Sequence, residues 1–362
     1  MHDSSGRPHP AVAAVRLAVR RALTAALDGD LAHDELVLVG CSGGPDSLAL
    51  AAAVAFEAPK LGLRAGAVTV DHALQAGSAD HAERVRATLR GLGLDPVVLI
   101  TADVPGRGVG PGYPGPEAAA RRARYTAFDE ARERSGARAI LLGHTMDDQA
   151  ETVLLGLARG SGARSIAGMS PAHGCYLRPL LGLRRDQTAA ACAALGLRPW
   201  QDPHNSDQAF ARTRVRSRIL PLMEELIGPG VTEALARTAD QLRSDADALD
   251  DLAASAGQRL LCGWRPVGQG GPRSILVSQL ADLPAAIRTR VLKRAAIAAG
   301  APAGSVTASH IGELDALITD WHGQRWLDLP GGVRCLRRYG RLQFTGQDSV
   351  RQGSMGQREA EV

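Results

Sequence analysis

Glu35-Leu-Val-Leu-Val-Gly-Cys41-Ser42-Gly43-Gly44-Pro45-Asp46-Ser47 runs directly into Leu48-Ala-Leu-Ala-Ala-Ala-Val-Ala-Phe56. The first apolar run has strand character and the second has helix character. Between them lies a tight glycine turn that opens a helix. Such a turn aims backbone N–H groups and the positive end of the helix dipole at one spot, which suits a phosphate. Gly43 and Gly44 permit close approach and positive φ. Ser42 and Ser47 add hydroxyl donors. Asp46 is an acid where an anion is expected, an arrangement that a divalent metal bridging carboxylate and phosphate would explain. A Walker A loop is excluded, because that motif needs a lysine after its last glycine. The only lysines are Lys60 and Lys293, and neither follows such glycines.

Outward from this turn, strand-like and helix-like segments alternate. The strands fall at about 35–41, 66–71, 95–101 and 138–143, and the helices at about 46–57, 78–92, 117–134 and 147–158. An amphipathic helix over 10–27 precedes them. This pattern predicts an α/β fold, a doubly wound parallel sheet covered on both faces, with ligands at the carboxyl ends of its strands. Residues 102–116 form a Gly/Pro-rich loop, expected to be mobile and to lie over the site. Beyond about 205 the alternation gives way to helical patterns, then to a small mixed unit with a hairpin turning at Pro330-Gly331-Gly332. The expected segmentation is an N-terminal helix (1–30), a nucleotide-binding domain (31–210), a mostly helical domain ending in the hairpin (211–345) and a disordered polar tail (346–362).

The chain has 362 residues, 45% apolar and 22% charged, with a net charge of +4. That is the composition of a globular protein with more than one core. Five scattered cysteines without a CxxC pair give no zinc or iron–sulfur signal and fit reduced thiols in the cytoplasm. No segment has the length of a membrane span or the form of a signal peptide.

Three further constellations carry chemistry. Asp71-His72 closes the second strand, level with the glycine loop. His144-Thr-Met-Asp147-Asp148-Gln-Ala-Glu151 turns from the fourth strand into a helix. A capping box explains one of its acids. It does not explain four titratable groups crowded at the ligand edge; such an acidic pocket suits a metal or a substrate ammonium group. Asp46 and Asp147 are the candidate metal ligands. Basic residues cluster at Arg121 and Arg124, at Arg212, Arg214, Arg216 and Arg218, and at Arg334, Arg337, Arg338 and Arg341 beside Trp326 and Tyr339. Arginines beside aromatics suit RNA phosphates and bases, although an exposed basic helix or hairpin edge would look the same.

Taken in order, SGGPDS (42–47), DHAL (71–74), EAAARRARY (117–125), LGHTMDDQAET (142–152), RPLL (178–181), DPHNSD (202–207) and RTRVRSRILP (212–221) resemble the tRNA(Ile)-lysidine synthetase family of PP-loop ATP pyrophosphatases. The loop alone identifies only the superfamily; the whole set is far more specific. The resemblance implies an adenine nucleotide alpha hydrolase-like domain and a ligase. It would use ATP and Mg2+ to join free L-lysine to the wobble cytidine of a tRNA(Ile) with a CAU anticodon. Ser42 to Ser47 would hold pyrophosphate with Asp46 on magnesium, and Asp71, His72 and Arg121 would contact ATP. His144 and Asp148 would lie near the reacting centre, with Asp148 and Glu151 on lysine. Arg212 to Arg218, with Arg337 and Arg338, would face tRNA, and a homodimer is compatible with this reading. Thr145, Gln75 and Thr213 depart from the family pattern, and the C-terminal region is shorter than in long members. The weighed alternatives are another PP-loop tRNA-modifying enzyme such as a thiolase, a non-catalytic nucleotide-binding module and a pure RNA-binding protein.

Overall fold

The computed structural model describes residues 7–28, 31–71, 77–102, 116–160, 162–200, 208–261, 264, 273–323 and 326–346. His72, most of the Gly/Pro-rich loop, the DPHNSD segment and the C-terminal tail lie outside the described residues. The chain divides into two compact units, Met1–Arg243 and Ser244–Val362.

The first unit is built on a six-stranded sheet. Its strands are β1 (Leu36–Gly40), β2 (Arg64–Asp71), β3 (Val97–Thr101), β4 (Ala139–Leu142), β5 (Ala172–His173) and β6 (Tyr176–Leu177), in the order β3-β2-β1-β4-β6-β5. All neighbours are parallel except the short β5–β6 edge pair. The helices are α1 (Pro10–Leu27), α2 (Pro45–Glu57), α3 (Ser78–Gly91), α4 (Pro116–Ser135), α5 (Met146–Ala158), α6 (Ala163–Ile166), α7 (Arg185–Ala194), α8 (Ala211–Arg214) and α9 (Leu220–Leu226). The two-residue period of each strand builds the layers. Val37, Val39 and Leu141 point to one face, into a core with Val15 and Leu23 of α1, Leu48 and Val54 of α2, Leu89 of α3 and Cys192 of α7. Leu36, Leu38, Ile140 and Leu142 point to the other face, against Ala127, Phe128 and Ala131 of α4. Fully buried strands of this kind are what a doubly wound sheet demands. The sheet reverses direction of winding between β1 and β4, and the loops after those two strands lie side by side there.

α10 (Val231–Leu260) runs past the unit boundary. The second unit contains β7 (Ser274–Leu276), α11 (Val277–Ala281), α12 (Ala285–Ala298), α13 (Ala308–Thr319), β8 (Leu327–Leu329), β9 (Val333–Arg338) and β10 (Arg341–Thr345). Its strands form an antiparallel sheet in the order β7-β10-β9-β8, with the expected turn at Pro330–Gly332 between β8 and β9. Alternate residues Val333, Cys335, Leu342 and Phe344 pack on Val291, Leu292 and Leu314.

Candidate active site

The turn after β1 is assembled mainly from backbone. Gly43 sits at φ +83°, and a Cβ there would lie 2.6 Å from Val85 Cγ2. Gly44 is the N-cap of α2 and Pro45 its first residue; no side chain caps this helix. Among the described residues no side chain engages the first-turn N–H groups, an arrangement that suits an anion. Ser47 Oγ donates to the Gly44 carbonyl at 3.0 Å and accepts from the Ser42 N–H at 3.2 Å, so this hydroxyl shapes the loop from inside. Two residues without any sequence signal hold its outer side. The Trp200 N–H donates to the Gly43 carbonyl at 2.9 Å, and His81 Nε2 lies 3.1 Å from the Ser42 carbonyl. Their rings stack at 3.9 Å between centroids.

The turn after β4 comes close to this loop. A Cβ on Gly143 would lie 3.1 Å from the backbone of Asp46 and Ser47, so glycine is what permits the approach. Thr145 and Asp148 form the capping box of α5, and Asp148 Oδ2 accepts the Thr145 N–H at 2.8 Å. His144 Nδ1 is buried with no hydrogen-bond partner among the described residues. Burial pushes the His144 imidazole down to about 3; Asp148 opposes this and Arg178, Arg121 and Arg212 reinforce it. His144 is therefore neutral at physiological pH.

The acids of α5 are matched by arginines from two later segments. Glu151 is fully buried. It accepts from Arg216 Nε at 2.7 Å, Arg212 Nε at 2.9 Å and Arg185 Nη2 at 3.3 Å. Asp148 Oδ1 accepts from Arg185 Nη2 at 2.9 Å and Arg216 Nη2 at 3.2 Å. Burial favours the protonated acid, but Arg185 and Arg212, then His144 and the Thr145 N–H, hold the Asp148 carboxyl below the usual range. Asp147 accepts the Arg185 backbone N–H at 2.8 Å and lies 3.6 Å from Arg184. Asp46 accepts a hydrogen bond from Thr188 and lies 3.6 Å from Arg185 Nε. Its burial pushes the carboxyl up, against Thr188 and Arg185. Arg185 thus touches Asp46, Asp148 and Glu151 at once and joins the glycine loop to the acidic helix.

Arg184, the N-cap of α7, and Arg185 and Thr188 within it were not singled out from the sequence, because nothing in their local pattern marks them. Arg212 and Arg216 share one side of their segment and turn inward. Arg214 donates to the carbonyls of Gln208 and Ala209, and Arg218 is exposed. Val215 and Leu220 pack on Ala150, which fixes this segment against α5. Asp71 is buried at the end of β2. Arg121 is exposed and donates to Tyr125 Oη at 3.2 Å. Arg178 is buried: it donates to the Ser170 carbonyl, and its Nε has no partner among the described residues. In the second unit Arg337 donates to the Leu317 carbonyl and stacks on Trp321, while Arg338 is exposed beside Tyr339.

Among the described residues no three acids, histidines or cysteines converge on one point. Asp46 and Asp147 have separate partners. Magnesium, however, commonly takes one or two carboxylates and fills its shell with water and phosphate oxygens. Asp46, beside the uncapped N-terminus of α2, fits that role.

Comparison with known proteins agrees with this geometry. Residues 16–223 match the PP-loop domain family, and residues 276–343 match the TilS substrate binding domain. A tRNA(Ile)-lysidine synthase from Thermobifida fusca is 55% identical over 335 residues, covering 92% of this chain and 98% of the relative. This chain belongs to the tRNA(Ile)-lysidine synthase family. Family members from Streptomyces coelicolor (51% identical, 92% of this chain, 98% of the relative) and Mycobacterium tuberculosis (49%, 79% and 82%) agree. Among solved structures, the U34-tRNA thiolase NcsA from Methanococcus maripaludis with its 4Fe-4S cluster has a TM-score of 0.53 at 17% identity. It covers 67% of this chain and 84% of that one, a likeness of fold alone. No helix among the described residues is long and apolar enough to cross a membrane.

Proposed function

We propose that this chain joins free lysine to C2 of the wobble cytidine in a tRNA(Ile) with a CAU anticodon, converting ATP to AMP and pyrophosphate. The observation that carries this reading is the bridge made by Arg185. It ties the phosphate-binding turn at Asp46 to the acid pair Asp148 and Glu151. Two half-reactions that share one intermediate need such adjacency.

In the first step cytosine O2 attacks the α-phosphorus of ATP, the bond to the β-phosphate oxygen breaks, and pyrophosphate leaves. The loop N–H groups at the start of α2 meet the charge on the departing group. Bound magnesium would supply further charge neutralisation there, with Asp46 as its protein ligand. In the second step the neutral ε-amine of lysine forms a bond to C2, the C2–O bond breaks, and AMP leaves with that oxygen. The amine loses a proton. Neutral His144, whose buried Nδ1 has no partner among the described residues, is the acceptor the geometry favours, because both oxygens of Asp148 already accept hydrogen bonds, Oδ1 from Arg185 and Arg216 and Oδ2 from Thr145. An anionic adenylate beside His144 would raise its basicity. Asp148 and Glu151 hold the α-ammonium of lysine, which leaves the ε-amine to react. Arg214, Arg218 and Arg338 are exposed and suit tRNA phosphates. The segments 31–210 and 211–345 would divide catalysis from tRNA binding.

The test is incubation with tRNA transcripts that differ only at the wobble base, labelled lysine and ATP. Label entering only the cytidine form, with one AMP per lysine, is expected. ADP as product, or label in every transcript, would overturn the reading.

A further inference from the structure

The acid pair assigned to lysine is already occupied by cations of the chain itself. Around Asp148 and Glu151 stand Arg185, Arg212 and Arg216, with Asp46 as the third carboxylate within reach of Arg185. Three carboxylates thus face three guanidiniums. A substrate ammonium entering this cluster would leave four cations on three acids unless one cation departed. Like charges so close repel strongly in a partly desolvated site.

The three arginines differ in what else holds them. Arg185 also reaches Asp46, and its backbone N–H is bound to Asp147. Arg212 also donates to Thr152 Oγ1 at 2.9 Å and to the Asp148 carbonyl at 3.2 Å. Arg216 donates to the two carboxylates and to nothing else among the described residues: Glu151 Oε1 at 2.7 Å, Glu151 Oε2 at 3.0 Å and Asp148 Oδ1 at 3.2 Å. Its side chain is also the most exposed of the three, at 32% against 26% and 25%. It stands on a π-helical turn, Val215–Ile219, flanked by Arg214 and Arg218 on the solvent side. Turns of this type recur at functional sites.

We propose that Arg216 is the resting occupant of the substrate-cation subsite, exchanged for the ammonium of lysine and released toward the RNA-facing side of its turn. This rests on the reading that Asp148 and Glu151 hold lysine. The exchange couples the two substrates. A phosphate that captures the released guanidinium favours lysine binding, and lysine favours that phosphate by the same factor.

The experiment is calorimetric titration of lysine into the full-length protein, with and without tRNA transcript. Arg216→Gln is expected to bind lysine about tenfold more tightly than wild type without tRNA, and to lose the enhancement that tRNA gives wild type. Equal or weaker binding by Arg216→Gln, while Glu151→Gln and Asp148→Asn abolish binding, would overturn the exchange and leave the lysine site standing. Wild-type affinity in Glu151→Gln and Asp148→Asn would remove the lysine site itself, and the exchange with it. A second measurement needs no change of stability. In 15N-arginine-labelled wild-type protein, the Nε–H resonance missing from Arg216→Lys should lose its protection from solvent exchange on adding lysine. A resonance unmoved at saturating lysine would overturn the proposal.

Discussion

The glycine turn after β1 and the acidic turn after β4 lie side by side, yet they solve the problem of charge in opposite ways. The first is made of backbone from one short stretch and, among the described residues, has no side chain capping its helix. The second is capped by its own Asp148, and its carboxylates are engaged by arginines from α7 and from residues 212–216. A site that receives a multiply charged anion can stand open in water, because backbone dipoles carry no net charge and need no counter-ion. A buried carboxylate pair cannot stand open, because unpaired buried charge is expensive. Readiness in the first region and self-occupancy in the second follow from that difference.

Five variants test the contrast. Asp46→Asn should lower AMP formation by about 10^2–10^3-fold, the scale of removing one group that meets transition-state charge. It should not destabilise the fold. Burial raises the folded pKa of Asp46, so the charged acid loses stability as pH rises through and above its unfolded value near about 4. The asparagine variant should therefore melt at or above wild type at pH 7, with the gain vanishing below about pH 4. A clear drop in melting temperature at pH 7 would contradict the open-site picture.

Glu151→Ala should do the reverse and unfold more easily. Removing one partner of a fully buried pair costs about 3–5 kcal/mol; about 2–3 kcal/mol is expected here, because the arginines keep contact with water. Denaturant titration measures it, and an unchanged midpoint would mean that the cluster contributes nothing to the fold.

Gly43→Ala should cost about 1–2 kcal/mol from its left-handed φ alone, and more from the clash with Val85. Wild-type stability with normal ATP affinity would refute the fixed turn. Trp200→Ala keeps the backbone N–H bond to Gly43 but removes the ring that stacks on His81, which in turn contacts the Ser42 carbonyl. A rise of about tenfold in KM for ATP, or about 1.4 kcal/mol, is expected with kcat little changed; a kcat effect alone would move Trp200 into the chemistry.

The last variant concerns pH. Burial lowers His144 to about 3, so its neutral form is favoured by folding. That contribution is complete above the unfolded value near about 6.5 and is lost as pH falls toward 3. His144→Gln should narrow the stability difference from wild type progressively below about pH 6.5. Parallel melting curves across that range would show that His144 is not desolvated.

Much of this was readable before the fold was seen. The four parallel strands and the helices between them follow from apolar runs and turn residues, which act over a few neighbours. SGGPDS announced a tight glycine turn opening a helix, because glycine, hydroxyl and acid are constrained within that stretch itself. The acids of α5 were also legible as a crowd. Their partners were not: Arg185 lies 34 residues from Glu151 in the chain, Arg212 lies 61 away and Arg216 lies 65 away. An arginine on a helix carries no mark that says whether it faces water or a buried carboxylate. The same holds for Trp200 and His81, which touch the loop only through backbone carbonyls. Glu224 is a further case. It accepts the N–H groups of Gly230, Val231 and Thr232 ahead of and at the start of α10, a cap supplied from outside that helix's own first turn.

By itself, the order of residues determined a parallel sheet with a glycine turn and an acidic helix at its carboxyl edge, because local conformation and apolar period decide those. Only the tertiary structure decided that the acidic helix is met by arginines from two later segments and that the glycine turn is braced by the backbone of Trp200. Long-range charge pairing is selected by burial, which forces distant opposite charges together and leaves no trace in the spacing of either partner.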